Sequence, residues 1–415
     1  MIQQKEVQAL RTLAGRWMEH AANPVMAQRR RQWKAVKDLA SEKPMILVET
    51  CALSDYIGRD ELVCADPFAR NVERSLYEVV RHADEIGDDI VVDPWFRVPW
   101  VLEISDYGVP AQKRGAAVSG TPRSPAQLEN AGRLHQRSRC VNRMESLHNK
   151  ELLEDIFGDI LPVRLGGWDP FHRDPGYRPW LGSLYAGLST DLLDLIGSDN
   201  LGAWAHDNPA LLQRIMAVIC GDWKAHFRFM EKEGLLYANT DTWMPCPGSY
   251  GFVSDLPAPS ADGTPATLRD CWCWTDVPES ALIPSGIFRD FLLPSLAEVM
   301  KPFGLAWCGF RHAHHEDGIL KAVPNLRAVS VSAESNQDAG GELLGKGYVY
   351  SRNPVPTPIS GANPDWELLK KDVRGTLDAA RGCSLEFCFR GIASINGDRS
   401  RLARWVRMTR AMMGE

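Results

Sequence analysis

The sequence lacks the long apolar segments, the glycine-rich phosphate loops and the paired-cysteine motifs by which several large protein classes are recognised. No uninterrupted apolar run approaches the roughly 20 residues that a membrane-spanning helix needs. A Gly-x-Gly-x-x-Gly motif and a P-loop are both absent, which argues against a nucleotide-binding first turn. Cys-x-x-Cys pairs are absent too, so the commonest zinc-ribbon and dithiol signatures are missing.

A basic face of the kind that binds nucleic acid is also missing. The net charge is -6, with acidic and basic residues interspersed along the chain. This pattern predicts neither a nucleic-acid nor a membrane partner, and favours a small-molecule substrate. The polar, helix-forming first residues do not resemble a signal peptide. We therefore expect a cytoplasmic protein whose 10 cysteines are reduced.

Short apolar runs alternate with helical segments along most of the 415 residues. Strands are predicted at 45–48, 89–92, 161–164, 235–238, 304–308, 327–331, 348–351 and 384–388. Because these runs show no period-2 alternation, they indicate a parallel sheet that is covered on both faces. Without a glycine-rich first turn, a closed barrel fits better than a doubly wound sheet. We predict an α/β protein with a (β/α)8 TIM barrel over 42–415, preceded by a helical extension over 1–41.

Polar and aromatic side chains follow the predicted strands, where a barrel carries its active site. Glu49, Asp93 and Asp241 are the candidate catalytic carboxylates, which would orient the substrate or move a proton. The candidate substrate-binding residues are Trp95, Arg164, Trp168, Asn239, Trp243, Trp274 and Glu279. Indole rings beside carboxylates suit a flat or cationic ligand, including a quaternary amine. The alternative is that the tryptophans only fill space beneath long loops.

A thiol and three imidazoles fall within the eight residues that begin at Cys308, directly after a predicted strand. Thiolate and imidazole ligands together suit zinc, and a catalytic zinc takes three protein ligands. We predict a metal site formed by Cys308, by His312 or His314, and by Cys388 at the end of the last strand, with Cys383 as the alternative thiol. The other interpretation is a loop rich in histidine that binds no metal.

Four segments resemble the uroporphyrinogen decarboxylase superfamily, namely 157–164, 291–294, 324–332 and 350–354. The resemblance runs from about residue 151 to the end of the chain and is weaker before it. It implies a (β/α)8 barrel. The decarboxylases of the superfamily carry an arginine-rich segment after the first strand, whereas the segment 49–55 here contains no arginine. The sequence therefore looks closer to the methyltransferase branch.

That branch holds zinc with a His-x-Cys-Gly motif and a distal cysteine. Here Cys308 and Gly309 match the motif, Cys388 matches the distal position, and Ala306 stands where the histidine belongs. The resemblance thus implies that His312 or His314 supplies the imidazole, or that the metal has been lost. It also implies transfer of a methyl group between a small methylated substrate or a pterin and a corrinoid. Since the corrinoid-binding motif Asp-x-His-x-x-Gly is absent, a separate corrinoid protein would be the partner.

Two other functions are compatible with the same residues. The first is a metal-independent decarboxylase or lyase in which Arg164, Arg311 or Arg352 pairs with the carboxylate of a small acid. The second is a barrel without catalytic activity that binds a corrinoid or another small ligand.

Overall fold

The computed structural model describes residues 2–41, 43–109, 134–167, 169, 183–242, 248–260, 263–277, 285–310 and 316–414. Six residues that the sequence analysis singled out lie outside these ranges: Trp168, Trp243, Glu279, Arg311, His312 and His314. None of the described helices combines the length and the apolar character that crossing a membrane requires.

Ten strands are present in the described part of the chain. They are β1 Met45–Val48, β2 Phe96–Val98, β3 Leu102–Ile104, β4 Arg139–Val141, β5 Val163–Leu165, β6 Trp272–Val277, β7 Leu305–Phe310, β8 Leu326–Val331, β9 Val349–Arg352 and β10 Ser384–Phe389. Six of them form a parallel sheet in the order β1-β10-β9-β8-β7-β6. A second parallel pair joins β2 to β5, and β3 and β4 form an antiparallel hairpin.

Helices fill the segments between these strands. They are α1 Gln4–Ala21, α2 Val25–Lys37, α3 Pro67–Glu85, α4 Arg143–Phe157, α5 Leu188–Ile196, α6 Ser198–Asp207, α7 Pro209–Lys232, α8 Leu293–Met300, α9 Glu316–Ala322, α10 Gln337–Leu344, α11 Thr357–Ser360, α12 Trp366–Ala379 and α13 Ser400–Met412. A helical turn at Ser285–Ile287 and a π-helical segment at Phe288–Leu292 lead into α8. Residues 1–41, where the sequence predicts a helical extension, contain α1 and α2.

The α/β class with a parallel sheet is confirmed, whereas the closed eight-stranded barrel stays a prediction. Within the described residues the main sheet has six strands, and two predicted strands are not formed. At 89–92, side chains replace part of the backbone ladder, because the carboxylates of Asp88 and Asp89 accept the N–H groups of Val48 and Ile46, each at 2.8 Å. At 235–238, the side-chain amide of the following Asn239 bonds the β6 backbone in a similar way.

The main sheet is buried on both faces, as its apolar strands predict. On the inner face, Trp272 and Trp307 pack with Trp33 of α2 in one hydrophobic cluster. The alternate residues of β6 and β7 point to the opposite face, where Cys273 and Ala306 belong to the cluster that includes α7 and α8. The inner face is therefore aromatic and is covered by the N-terminal helices, while the outer face is covered by the later helices.

A buried charged cluster anchors the β3–β4 hairpin region to α5 and α7. Arg137 forms ion pairs with Asp222 at 2.6 Å and Asp191 at 3.2 Å. The Tyr107 hydroxyl donates to Asp191 at 2.6 Å, and the Trp223 indole N–H donates to the same carboxylate at 2.9 Å. Asp222 is fully buried, and its charge is compensated by Arg137 and by Arg139, which also forms an ion pair with it.

Replacing Asp222 by asparagine is expected to lower the free energy of unfolding by about 2 kcal/mol, because buried Arg137 loses its closest counter-charge. Urea denaturation measures this loss. The control is Asp207→Asn on α6, whose carboxylate side chain is 64% exposed and which should change stability by less than about 0.5 kcal/mol. Equal losses in the two variants would show that the cluster does not anchor the hairpin.

Candidate active site

A cavity of about 160 Å³ lies beside the carboxyl end of β1, between α1 and α3. Its aromatic walls are Trp17, Trp95, Phe96 and Tyr250, and its polar lining includes Glu49, Thr50, Cys51, Ser75, His82, Asp93, Arg97, Asp169 and Thr242. The sequence predicts a pocket at the carboxyl ends of the strands, and this cavity lies at the end of one of them, β1. The mixture of aromatic rings and ionisable groups makes this cavity the candidate active site.

Helix α3 presents one face to the cavity. It starts at the N-cap Asp66, whose side chain accepts the first free backbone N–H groups of the helix. Ser75, Val79 and His82 line the cavity and lie four and three residues apart, which places them on one face. His82 Nε2 is 2.8 Å from the carboxylate of Asp88, which fixes the orientation of the imidazole.

Asp93 is the most perturbed carboxyl group in the cavity wall. Its side chain is buried, and its nearest ion-pair partner is Arg30 at 3.3 Å. Burial raises the pKa of Asp93 to about 7, and repulsion by Asp241 adds to the effect, while Arg97 and Arg30 act in the opposite direction. At neutral pH this carboxyl therefore exists in both protonation states, as a proton-transfer group requires.

Asp241 is held by an arginine and a tyrosine that the sequence analysis did not single out. Arg97 Nη2 lies 2.7 Å from Asp241, and the Tyr237 hydroxyl donates to the same carboxylate oxygen at 2.8 Å. The guanidinium also stacks over the Tyr237 ring at 3.8 Å. Burial and the Asp241 charge raise the pKa of the Tyr237 phenol. The available signal in the sequence was the position of Arg97, two residues after Trp95.

Five of the predicted site residues surround this cavity. Glu49, Asp93 and Trp95 line it, and Asp241 contacts it through Arg97. Arg164 places its guanidinium 3.9 Å from the centre of the Trp95 ring. Residues at the ends of four separate predicted strands are thus brought into one place.

Asn239 and Trp274 have packing contacts instead. The Asn239 side chain is 1% exposed, and its amide bonds the backbone N–H and carbonyl of Trp272. Trp274 donates its indole N–H to the carbonyl of Ser183 at 2.9 Å and stacks on Tyr185 with ring centres 4.4 Å apart. Neither residue lines the cavity. Through these contacts, the segments that contain Ser183, Tyr185 and Asn239 are attached to β6.

The two thiols of the predicted metal site lie on opposite faces of the main sheet. Cys308 is fully buried on the outer face, with its sulfur 3.8 Å from the sulfur of Met300 on α8. Cys388 lies on the inner face, where it contacts the Ser351 hydroxyl at 3.4 Å, and Trp307 donates to that same hydroxyl. Adjacent strand residues point to opposite faces, so Cys308 cannot share the face of Trp307.

The predicted approach of Cys308 and Cys388 is therefore wrong, because one zinc ion with Zn–S bonds of about 2.3 Å cannot reach across a sheet. Burial also raises the pKa of the Cys308 thiol, which disfavours the thiolate that a metal needs. Elsewhere among the described residues, no group of three or more His, Cys, Asp or Glu side chains has the geometry of a metal site. The described residues do not fit the predicted zinc.

Two further arginines lie near the ends of β9 and β10. Arg352 is fully buried, donates to the carbonyl of Val331 at 3.1 Å and pairs with Asp372 on α12, so its contacts are structural. Arg390, which the sequence analysis did not select as a site residue, pairs with Asp276 at the end of β6 at 2.7 Å. This pair links the carboxyl ends of two strands that are distant in the sheet order.

No protein-family model matches the chain, and no curated protein matches its sequence. Among solved structures, a methyltransferase from Methanosarcina mazei is similar, with a TM-score of 0.45 and 12% sequence identity. The similarity covers 92% of this chain and 98% of that chain. At this identity and TM-score, the likeness carries no conclusion about function.

Proposed function

We propose that the chain is an enzyme, namely a methyltransferase that binds a small methylated substrate in the cavity beside Asp93. The observation that carries the proposal is the buried carboxyl of Asp93, whose pKa of about 7 places it at the operating point of a general acid or base. Its location in the wall of an aromatic cavity gives a small substrate direct access to it. The resemblance of the sequence to the methyltransferase branch supports the choice of reaction.

The reaction needs a group that gives or takes a proton when the charge on the substrate changes. When a methyl group leaves, the heteroatom that carried it keeps the bonding electron pair, and an oxygen or sulfur then requires a proton. Protonated Asp93 donates that proton, and ionised Asp93 accepts one in the reverse direction. Arg97 holds the second carboxylate, that of Asp241, in place at 2.7 Å. The surrounding rings restrict water.

The methyl acceptor in this proposal is a corrinoid carried by a separate protein, as the resemblance implies, with a pterin as an alternative methyl donor. A reduced corrinoid supplies a strong nucleophile for the methyl carbon. No step is assigned to zinc, because the two thiols predicted to bind it lie on opposite faces of the sheet.

A direct assay tests this function. The purified protein is mixed with free cob(I)alamin and with methylated amines, ethers, thioethers or a methylated pterin, and methylcobalamin is followed by its absorbance. We expect protein-dependent methylation, confirmed by mass spectrometry of the demethylated product. Release of CO₂ from a small carboxylic acid without any corrinoid would instead support a decarboxylase.

One observation favours that second function. Arg164 forms no ion pair with the rest of the described chain, and it lines a larger cavity of about 640 Å³ together with Lys150. Stacking on Trp95 orients its guanidinium for pairing with a carboxylate. Replacing Arg164 by methionine would then abolish CO₂ release, whereas methyl transfer in the Asp93 cavity should be little affected.

A further inference from the structure

The cavity of about 640 Å³ adjoins the wall that Trp95 and Arg97 form for the Asp93 cavity. Within the described part of the chain, the two cavities have no lining residue in common. Two cation–π contacts cross the wall between them. Arg164 lies 3.9 Å from the Trp95 ring centre, and Arg97 lies 3.8 Å from that of Tyr237. Since Arg164 and Tyr237 line only the larger cavity, it is a separate site.

Two guanidinium groups lie side by side at this wall. Strands β2 and β5 pair in register with Arg97 directly beside Arg164, and paired residues of neighbouring strands point to the same face of a sheet. Arg97 has its counter-charge in Asp241, 2.7 Å away. Arg164 forms no ion pair with any described residue, and its guanidinium stacks on the Trp95 ring. Like charges side by side repel, and an anion bound at Arg164 would offset that repulsion.

The other charged side chains of this lining already have polar partners. The Lys150 ammonium pairs with Glu154, four residues further along α4. The Asp270 carboxylate accepts hydrogen bonds from the backbone N–H and the hydroxyl of Thr267, at 2.8 and 2.7 Å. Thr267 is exposed, so water and salt screen the Asp270 charge. Among the described lining residues, Arg164 is thus the charged group left to pair with a ligand.

Much of the remaining lining is apolar, with Trp100, Leu236 and Pro257 among its residues. A volume of about 640 Å³ is within the range of small-molecule sites. We infer that this second cavity binds a small molecule with an apolar body and an oxyanion, either a carboxylate or a phosphate, that pairs with Arg164. Stacking on Trp95 covers one face of the guanidinium and leaves its N–H groups, which lie in one plane, to donate to two oxygens.

The inference goes beyond both proposed reactions, because it assigns a second ligand to the chain whether or not that ligand is the compound that reacts. The Asp93 cavity, at about 160 Å³, is much smaller. The two cavities can therefore hold two different ligands at the same time, with the wall of stacked side chains between them.

Isothermal titration calorimetry with three probes that share one ring tests the inference. The probes are benzoate, the neutral benzamide and phenyl phosphate, each titrated at about pH 7.5 in Tris chloride, which contains no competing oxyanion. We expect the better of the two anions to bind at least about tenfold more tightly than benzamide, because its pair with arginine is charge-assisted. The anion that binds more tightly identifies the class of oxyanion.

Variants locate the site. Arg164→Met should remove the preference, so that neither anion binds more tightly than benzamide. Arg164→Lys keeps the charge but lacks the planar arrangement of donors, and should recover part of the affinity. Arg381→Met, which changes an arginine whose side chain is 82% exposed, should bind the probes like the wild type. Because Arg164 has no ion pair to lose within the described chain, Arg164→Met should remain folded, which thermal denaturation checks.

Two results would overturn the inference. One is a wild type that binds neither anion more tightly than benzamide, and the other is an undiminished preference for the anion in folded Arg164→Met. The outcome is separable from that of the proposed function. Binding of an anion at Arg164 without methyl transfer from any donor would contradict the methyltransferase and leave the site standing. Methyl transfer by a protein that binds none of the probes would have the opposite meaning.

Discussion

Replacing Asp93 by asparagine is expected to lower the turnover number for methyl transfer by at least about 100-fold at pH 7, the usual contribution of a general acid or base. Asparagine keeps the size of the side chain but can neither give nor take a proton. The wild-type rate should change with pH around 7, where Asp93 titrates, and the remaining activity of the variant should lack that dependence.

A stability measurement separates this loss from unfolding. Because the pKa of Asp93 in the folded chain lies above its usual value of 3.8, the folded state binds the proton more tightly than the unfolded state does. The wild type should therefore lose stability as the pH rises from about 4 to about 7. Asp93→Asn lacks this contribution and should gain stability relative to the wild type above pH 7. An inactive variant that is also unfolded at pH 8, or full activity in a folded variant, would contradict the role of Asp93.

Replacing Lys37 by methionine is expected to lower the free energy of unfolding by about 3–5 kcal/mol. Lys37, at the end of α2, and Glu386, on β10, are both fully buried, and their charged atoms are 2.5 Å apart. Ser249 accepts a hydrogen bond from the same ammonium at 2.7 Å. Methionine fills a similar volume but leaves the Glu386 carboxylate buried without a counter-charge.

A double-mutant cycle shows whether the lost charge pair is the cause. Glu386→Leu alone should be about as destabilising as Lys37→Met, whereas the two changes together should recover most of the loss, since no unpaired charge remains. Guanidinium denaturation gives the four free energies. Additive losses would mean that packing, and not the ion pair, determines the cost.

The sequence predicted most of the main sheet because its signals are local. Each apolar run that became β1, β7, β8, β9 or β10 is visible in a few consecutive residues. The carboxylates Glu49 and Asp93 were found by the same rule, as polar residues that follow such runs. No strand was predicted at β6, where Trp274 was instead interpreted as a substrate-binding residue.

The errors arose where side chains from distant segments meet. The segment 89–92 reads as a strand, but the carboxylates of Asp88 and Asp89 accept the N–H groups of β1 that a neighbouring strand would otherwise bond. Cys308 looked like a metal ligand from its place after an apolar run. Its direction depends on the pairing of β7, whose register with β8 shifts between Ala306 and Trp307.

The sequence by itself determined the α/β class, the positions of most strands of the main sheet and the choice of Glu49 and Asp93, because periodicity and strand ends are properties of neighbouring residues. Tertiary structure decided the chemistry of those residues. Arg97 and Asp241 are 144 residues apart in the chain, yet their ion pair and the burial of Asp93 together set the ionisation of the cavity. Solvation and charge interactions depend on distance in space, which only the folded chain defines.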